Sequence, residues 1–176
     1  PVLALRAVTP PDPAKPSALL ITEEDCRPED FNQSGQNILG MATLAASHLR
    51  SPLMVSDIVS QFEAGALADT AARLGMDHSA LSATDPGALA SWARAMGATQ
   101  IITPYITQGP LFDWIEQARP ALAADNITLT EWRRDWDSAI WPHATAGFFK
   151  VKKTIPEILR AEGIDEAQAS FSFQAP

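Results

Sequence analysis

The chain has a single cysteine, Cys26, so it can form no internal disulfide and no multi-cysteine metal site. It has no apolar run of the roughly 18 to 20 residues that a membrane-spanning helix needs, and no charged-then-apolar secretion signal leads it. These absences lead us to expect a cytoplasmic location and no membrane partner. The first residue is Pro1 rather than Met, which favours a piece of a longer protein.

Several motifs of nucleotide-binding and hydrolytic enzymes are also missing. The sequence contains no GxGxxG, no GxxxxGK[ST] and no GxSxG, so a dinucleotide fingerprint, a phosphate loop and a nucleophile elbow find no support. The histidines His48, His78 and His143 lack zinc-like spacing. Asp137 lies six positions before His143, but that spacing defines no catalytic geometry. We therefore assign no catalytic residue and no metal ligand.

Basic residues are few, with 13 Lys and Arg against 21 Asp and Glu and a net charge of −8. Proteins that coat nucleic acid need a basic face, so we do not expect the chain itself to bind DNA. Residues 131–160 differ from the rest, with six basic against four acidic side chains. The 176 residues, 46% of them hydrophobic, fit one globular domain.

Short apolar runs alternate with helix-like spacings, which predicts parallel strands joined by helical crossovers. Strands are expected at residues 18–22, 79–83, 99–107 and from 127, with an edge strand at 2–8 and a strand or connector at 53–55. Helices are expected at residues 36–49, 57–75 and 85–97 and from 109, where Pro120 kinks or ends the last one. The buried stripe of the second helix comprises Val59, Phe62, Leu67, Ala71 and Leu74. The predicted fold class is α/β, with a helix-covered, mainly parallel, five-stranded sheet of the Rossmann-like type.

The sequence divides into three stretches. Residues 1–17 are a proline-rich N-terminal segment, residues 18–135 form the α/β domain, and residues 136–176 form an aromatic and basic exit segment with a C-terminal helix. The carboxylates of residues 23–25 follow the strand at 18–22, at the edge where open α/β sheets bind ligands. We favour a solvated loop there over a metal or ribose site.

The stretch from residue 132 to 156 holds three of the five tryptophans and three of the four lysines. In one interpretation its aromatic side chains anchor a terminal element that folds back on the sheet. In the other they line a surface for a planar ligand or a neighbouring domain, while the basic side chains bind phosphate or carboxylate. On the residues alone we favour the first interpretation.

The order of several segments carries a family resemblance. GALAxxAARLG, then DPGALASWARAMGA running into QIITPYI, then a helix, an ITL strand and WDSAIWPHATAGFFKVKKTIPEIL follow one another. This order resembles the amino-terminal α/β antenna domain of the photolyase and cryptochrome family, and it looks closest to a bacterial photolyase-related branch. The likeness is strongest over residues 65–159. The family's N-terminal strand and arginine-rich loop are not recognisable in residues 1–22.

The resemblance implies an antenna-like domain that has no repair activity by itself. Its partner would be a helical domain that holds FAD and binds damaged DNA, and the parent protein would be a deoxyribodipyrimidine photolyase or a cryptochrome. The family can hold an antenna chromophore between the two domains, but no chromophore ligand can be assigned in this sequence. The expected interdomain surface comprises Trp136, Trp141, His143, Phe148, Phe149, Lys150, Lys152 and Lys153.

A second function stays open beside this one. A stand-alone nucleotide- or flavin-binding α/β module, like universal-stress or electron-transfer-flavoprotein domains, would use the strand ends at residues 23–25 and 103–108. The missing glycine-rich phosphate loop argues against it.

Overall fold

A computed structural model of the chain describes residues 5–164, which divide into two compact units. The first unit, Val8–Trp132, contains the sheet. Its strands are β1 (Pro16–Thr22), β2 (Asn37–Ala45), β3 (His78–Ser82), β4 (Gln100–Pro104) and β5 (Thr128–Trp132). Its helices are α1 (Asp57–Leu74), α2 (Gly87–Ala95) and α3 (Pro110–Ala124).

The five strands are all parallel and lie in the order β3-β2-β1-β4-β5. Leu19, in the middle of β1, pairs with Met41 on one side and with Ile102 on the other. The chain therefore runs outward from β1 to β3, crosses back to β4 beside β1, and continues outward to β5. This arrangement confirms the predicted α/β fold with its helix-covered parallel sheet.

β1 forms the centre of the core because both of its faces are covered. Residues 18–21 have no solvent exposure. Ala18 and Leu20 pack in a cluster that includes Leu89 of α2 and Ile115 of α3. Residues 19 and 21 pack on the opposite face in a cluster that contains Leu67 and Ala71 of α1. A continuous apolar run suits such a strand, since neither face meets water.

The prediction of a helix at residues 36–49 was wrong, because this stretch forms β2. Its apolar residues are spaced for a helix face, but they also form a nearly continuous run, and short runs of this kind fit either structure. Gly40 lies within this strand, and a Cβ at its position would lie 2.6 Å from the flexible methyl end of Met96. Ser34, the predicted helix cap, lies in a turn instead, and its hydroxyl donates to Asn32 Oδ1 at 2.6 Å.

The predicted edge strand at residues 2–8 is also wrong in its described part. Residues 5–8 have no regular structure, and residues 2–4 lie outside the described residues. The neighbouring Thr9 carbonyl accepts one hydrogen bond from the Glu131 amide at 3.0 Å. Four prolines at residues 10–16 prevent a continuous ladder, since proline has no amide hydrogen to donate. Residues 53–55, the other open assignment, form a connector.

α1 ends as predicted at Gly75, but its buried stripe differs from the predicted one. Gly75 adopts a left-handed conformation with φ of 62°, and its amide donates to the Ala71 and Ala72 carbonyls. Val59 and Phe62, predicted to be buried, are 47% and 78% exposed. The buried positions are Glu63, Leu67, Thr70 and Ala71.

α2 and α3 follow the predicted pattern with one difference. Asp85 Oδ1 accepts the Gly87 amide at 2.9 Å at the start of α2. α3 begins at Pro110 and continues through Pro120 to Ala124, so Pro120 does not end it. Pro120 and Glu116, whose carbonyl loses its helical donor, are both exposed, so water can replace the missing hydrogen bond.

The second unit consists of Pro1–Ala7 and Arg133–Pro176, of which residues 5–7 and 133–164 are described. It contains α4 (Asp135–Ile140), a 3₁₀ turn (Trp141–His143), α5 (Phe148–Lys152) and α6 (Ile155–Ala161). Arg133 joins its two parts, since Nη1 donates to the Arg6 carbonyl at 2.8 Å and Nε donates to Ser138 Oγ at 3.0 Å. Across residues 5–164, none of the helices has both the length and the apolar character required to cross a bilayer.

Candidate functional site

The carboxyl edge of the sheet brings together the strand ends at residues 23–25 and 103–108. β1 and β4 are neighbours, but the chain leaves them in opposite directions, and ligands of open α/β sheets bind at such a reversal point. The Thr107 hydroxyl donates to Glu24 Oε2 across this point at 3.2 Å. Thr103 is fully buried in β4, and its hydroxyl has no hydrogen-bond partner in the described structure.

Arg50 lies between the two glutamates that follow β1. Its Nη2 is 3.0 Å from Glu23 Oε1 and 3.6 Å from Glu24 Oε1. The Arg50 side chain is 51% exposed, whereas the Glu23 side chain is 8% exposed. Glu23 Oε2 is buried without a hydrogen-bond partner in residues 5–164. The reversal point of the sheet therefore contains one carboxylate oxygen that is shielded from solvent.

The surroundings of Glu23 raise the pKa of its carboxyl. Burial raises the pKa of this carboxyl, and the charges of Glu63 and Glu24 raise it further. A backbone hydrogen bond and Arg50 act in the opposite direction without cancelling the rise in pKa. A protonated Glu23 can donate a hydrogen bond to a ligand, and an ionised one can accept.

Two other buried glutamates hold the loops of this edge in place. Glu63 of α1 accepts hydrogen bonds from the Ala46 amide at 2.8 Å, the Ser47 amide at 2.9 Å and the Ser47 hydroxyl at 2.5 Å. Glu131 of β5 accepts the Ile106 amide at 3.0 Å. Each carboxylate thus fixes the chain just after a strand, β2 and β4 respectively. Neither residue was predicted from the sequence as a buried acceptor, although a lone carboxylate within an apolar stripe is a signal for one.

The one cysteine lies near this edge but is not activated. Cys26 Sγ donates to the Thr22 carbonyl at 3.7 Å. Burial raises the pKa of the Cys26 thiol, with Asp25 and Glu23 acting in the same direction. The thiolate is the reactive form of cysteine, so this environment disfavours nucleophilic chemistry.

The chemistry of the edge follows from its charge. Glu23, Glu24 and Asp25 contribute three carboxylates, and Arg50 offsets only part of that charge. A phosphate group would be repelled, while hydroxyl, amine or guanidine groups would find acceptors. Across the described part of the chain, no three His, Cys, Asp or Glu side chains converge in an arrangement suited to a metal ion.

The residues of the predicted interdomain surface lie in the second unit. Trp136 on α4 is 40% exposed, and Phe148 and Phe149 on α5 are 64% and 79% exposed. The two phenyl rings meet edge to face, with centroids 5.8 Å apart. Trp141 is half-buried, and the remaining residues, His143, Lys150, Lys152 and Lys153, are exposed. We call these eight residues the aromatic–basic surface.

The two interpretations of the aromatic stretch apply to different residues. Trp132, at the end of β5, packs against the α1-side core and stacks on Phe31 with ring centroids 5.4 Å apart. It is therefore an anchor of the sheet unit. Phe148 and Phe149 instead expose most of their surface, as residues of a binding surface would.

A second exposed apolar group occurs where none was predicted. Before and within the first turns of α1, five large apolar side chains are between 47% and 98% exposed, namely Leu53, Met54, Ile58, Val59 and Phe62. Ile58, Val59 and Phe62 belong to α1, and Leu53 and Met54 precede it. Exposed large apolar side chains, where they form a patch, are typical of contact surfaces.

Comparison of the chain with protein-family models, with curated proteins and with solved structures found no match. The functional interpretation therefore depends on the residues and geometry described above.

Proposed function

We propose that this chain is the antenna-like α/β module of a photolyase- or cryptochrome-related flavoprotein. In this proposal the module is not catalytic alone and docks through the aromatic–basic surface on a helical FAD-binding domain. The parent protein is a deoxyribodipyrimidine photolyase or a relative of one, and DNA contact belongs to that parent. The observation that carries the proposal is the exposure of Phe148 and Phe149 beside three lysines.

Exposed phenyl rings are informative because burial stabilises them strongly. Moving a Phe side chain out of water contributes about 1.5–3 kcal/mol. Phe148 and Phe149 leave this stabilisation largely unused within the described chain, so a partner surface can gain it. Lys150, Lys152 and Lys153 follow the two rings directly in sequence, and interfaces usually combine an apolar centre with polar residues at the rim. The lysines favour a partner with an acidic rim.

Chemistry in this proposal comes from the partner domain. FAD is held there, and an antenna chromophore is an optional second cofactor. The chain contributes a rigid scaffold, since the central strand β1 is buried on both faces. Its own residues bind and orient the partner.

A binding measurement tests the docking function. The chain is titrated by calorimetry with a photolyase-family helical FAD-binding domain encoded in the same genome. Phe149→Ala removes a central apolar contact, and we expect it to weaken binding by about 2 kcal/mol, roughly 30-fold. Phe62→Ala on α1 is the matched control, because Phe62 is 78% exposed and Phe149 is 79% exposed. No binding, or an equal loss from both variants, would contradict the assignment.

One observation favours a second function, that of a stand-alone nucleotide- or flavin-binding module. The sheet order brings Glu24 and Thr107 together at the reversal point, as that function requires. Against it, the carboxylates at this edge repel phosphate.

An absorption spectrum of freshly purified protein separates the two functions, followed by mass analysis of any released compound. Copurified ATP or AMP supports the nucleotide module. Absorbance in the near-ultraviolet to blue from a released chromophore supports the antenna module.

A further inference from the structure

The second unit contains two adjoining cavities formed by its own residues. The smaller has a volume of about 250 Å³ and is lined by Pro142, His143, Thr145, Lys150 and Thr154. The larger has a volume of about 400 Å³ and is lined by Ser138, Ala139, Pro142, His143, Thr154, Glu157, Ile158 and Ala161. The two linings share Pro142, His143 and Thr154, so the cavities are neighbours.

Four of the five residues that line the smaller cavity have polar side chains. Lys150 supplies an ammonium group, His143 an imidazole and Thr145 a hydroxyl. The Thr154 hydroxyl already donates to the Val151 carbonyl at 2.8 Å. Thr145 Oγ1 is buried and has no hydrogen-bond partner among the described residues. Since buried polar atoms are usually hydrogen-bonded, the Thr145 hydroxyl is the group of this cavity that needs an acceptor.

The two cavities differ in their chemistry. No carboxylate lines the smaller cavity, whereas Glu157 lines the larger one. The larger cavity has apolar walls from Ala139, Ile158 and Ala161. Its volume of about 400 Å³ lies within the usual range of small-molecule pockets, roughly 300–1,000 Å³. The smaller one offers the volume of about eight water molecules, at roughly 30 Å³ each, which is ample for a tetrahedral oxyanion.

We propose that the smaller cavity binds an oxyanion group, phosphate or carboxylate, of a small molecule whose apolar body occupies the larger cavity. Lys150 neutralises the anion, the Thr145 hydroxyl donates to one of its oxygens, and His143 contacts the ligand where the cavities meet. Charge-assisted hydrogen bonds of this kind are about twice as strong as neutral ones. The inference does not depend on the docking function, because the chain alone is expected to bind the anion.

The test is a titration of the whole chain at constant ionic strength, followed by calorimetry and by amide NMR shifts. One arm uses inorganic phosphate, and the other uses benzoate, which carries a carboxylate on an apolar ring. We expect saturable binding of at least one probe, with shifts at residues 143–154. If phosphate binds, the oxyanion source is a phosphate group, and if only benzoate binds, it is a carboxylate. Absence of saturable binding by both probes overturns the proposal.

Variants assign the binding to the cavity. Lys150→Gln and Thr145→Val are each expected to weaken binding about tenfold. Arg160→Gln, an exposed basic residue that lines neither cavity and lies outside the aromatic–basic surface, is the matched control and is expected to bind as the parent chain does. Thr145→Ser keeps the hydroxyl and should keep the affinity, which separates a hydrogen-bonding role from a packing role. Equal weakening by Lys150→Gln and Arg160→Gln would indicate general charge attraction and contradict a defined site.

Discussion

Replacing Glu63 with alanine removes the acceptor of three hydrogen bonds at the carboxyl end of β2. The Ala46 amide, the Ser47 amide and the Ser47 hydroxyl all donate to this carboxylate, at 2.8, 2.9 and 2.5 Å. Glu63 is 7% exposed, Ala46 is 1% exposed and Ser47 is 9% exposed. Water therefore has little access to the donors that the substitution leaves behind.

The expected loss of stability follows from these unpaired donors. A buried donor without a partner costs about 1–3 kcal/mol, and the serine hydroxyl can rotate to find another acceptor while the two amides cannot. We expect Glu63→Ala to lower the free energy of unfolding by about 3 kcal/mol or more. This is a large part of the free energy of unfolding of a single domain, which is about 5–15 kcal/mol. For a chain of this length the melting temperature should fall by roughly 6–12 °C.

Glutamine at this position separates hydrogen bonding from charge. Glu63→Gln keeps one oxygen that can accept the two amides, but it places an amide nitrogen toward the Ser47 hydroxyl and loses the charge assistance. We expect a loss of about 1–2 kcal/mol, smaller than that of alanine. Glu116→Ala is the control, because its side chain is 44% exposed and forms a surface ion pair with Arg119 on the same helix. Such surface pairs contribute about 0–1 kcal/mol.

Glu63 also makes a prediction about pH. Burial acts to raise the pKa of this carboxyl, but the hydrogen bonds from Ser47 and Ala46 outweigh it, and the pKa is lowered in the folded protein. An acid whose folded pKa is lowered contributes stability above its unfolded pKa, about 4.3, and loses it as the pH falls through the folded value. The difference in free energy of unfolding between the parent chain and Glu63→Gln should therefore shrink below about pH 4.

Urea denaturation followed by circular dichroism, between pH 3 and 7, measures these quantities. Two results would refute the reasoning. One is a Glu63→Ala variant whose free energy of unfolding at pH 7 lies within about 0.5 kcal/mol of that of the parent chain. The other is a Glu63→Gln variant whose deficit stays constant across the whole pH range.

Three further predictions concern the same unfolding measurement. Glu23→Gln should raise the free energy of unfolding at pH 7, because the pKa of Glu23 is raised in the folded protein and its ionisation therefore opposes folding. The gain should vanish as the pH falls to about 4, where the carboxyl is largely protonated in the unfolded chain as well. No gain at pH 7 would contradict this. Gly65→Ala, in open space within α1, should stabilise by about 0.5–1 kcal/mol, whereas Gly75→Ala, at a φ of 62°, should destabilise by about 1–2 kcal/mol. If both glycine variants changed stability in the same direction, the left-handed geometry at the end of α1 would be contradicted. Phe62→Ser should change stability by less than about 0.5 kcal/mol, since its ring is 78% exposed, and a larger loss would place Phe62 in the core.

The parts of the fold that the sequence predicted correctly are those where several local signals agree. β1 combines a continuous apolar run with flanking polar residues, and α2 combines a capping Asp85 with a stop at Gly97. β2 was missed because its apolar spacing satisfies both a helix and a buried strand. Its identity depends on its pairing with β1 on one side and with β3 on the other, and both strands are distant from it in sequence.

The candidate sites were predicted less completely than the fold. The strand-end residues could be found because topology places all parallel carboxyl ends at one edge. The roles of Glu63 and Glu131 could not, since each supports a loop that is distant along the chain. The residues alone did not reveal the exposure of Phe148 and Phe149, because an aromatic cluster has the same composition in a core and on a binding surface; the family resemblance placed them on a surface.

The two candidate sites carry opposite charge, and that difference limits the ligands that each can bind. Residues 133–164 contain six basic and four acidic side chains, although the whole chain has a net charge of −8. At the sheet edge a nucleotide would place its phosphates near Glu23 and Glu24, which the exposed Arg50 neutralises only in part. Only the ribose hydroxyls or an amine-bearing base would find suitable acceptors there. A ligand with a phosphate or carboxylate is instead suited to the cavity beside Lys150, which favours the second unit over the sheet edge as the anion-binding part of the chain.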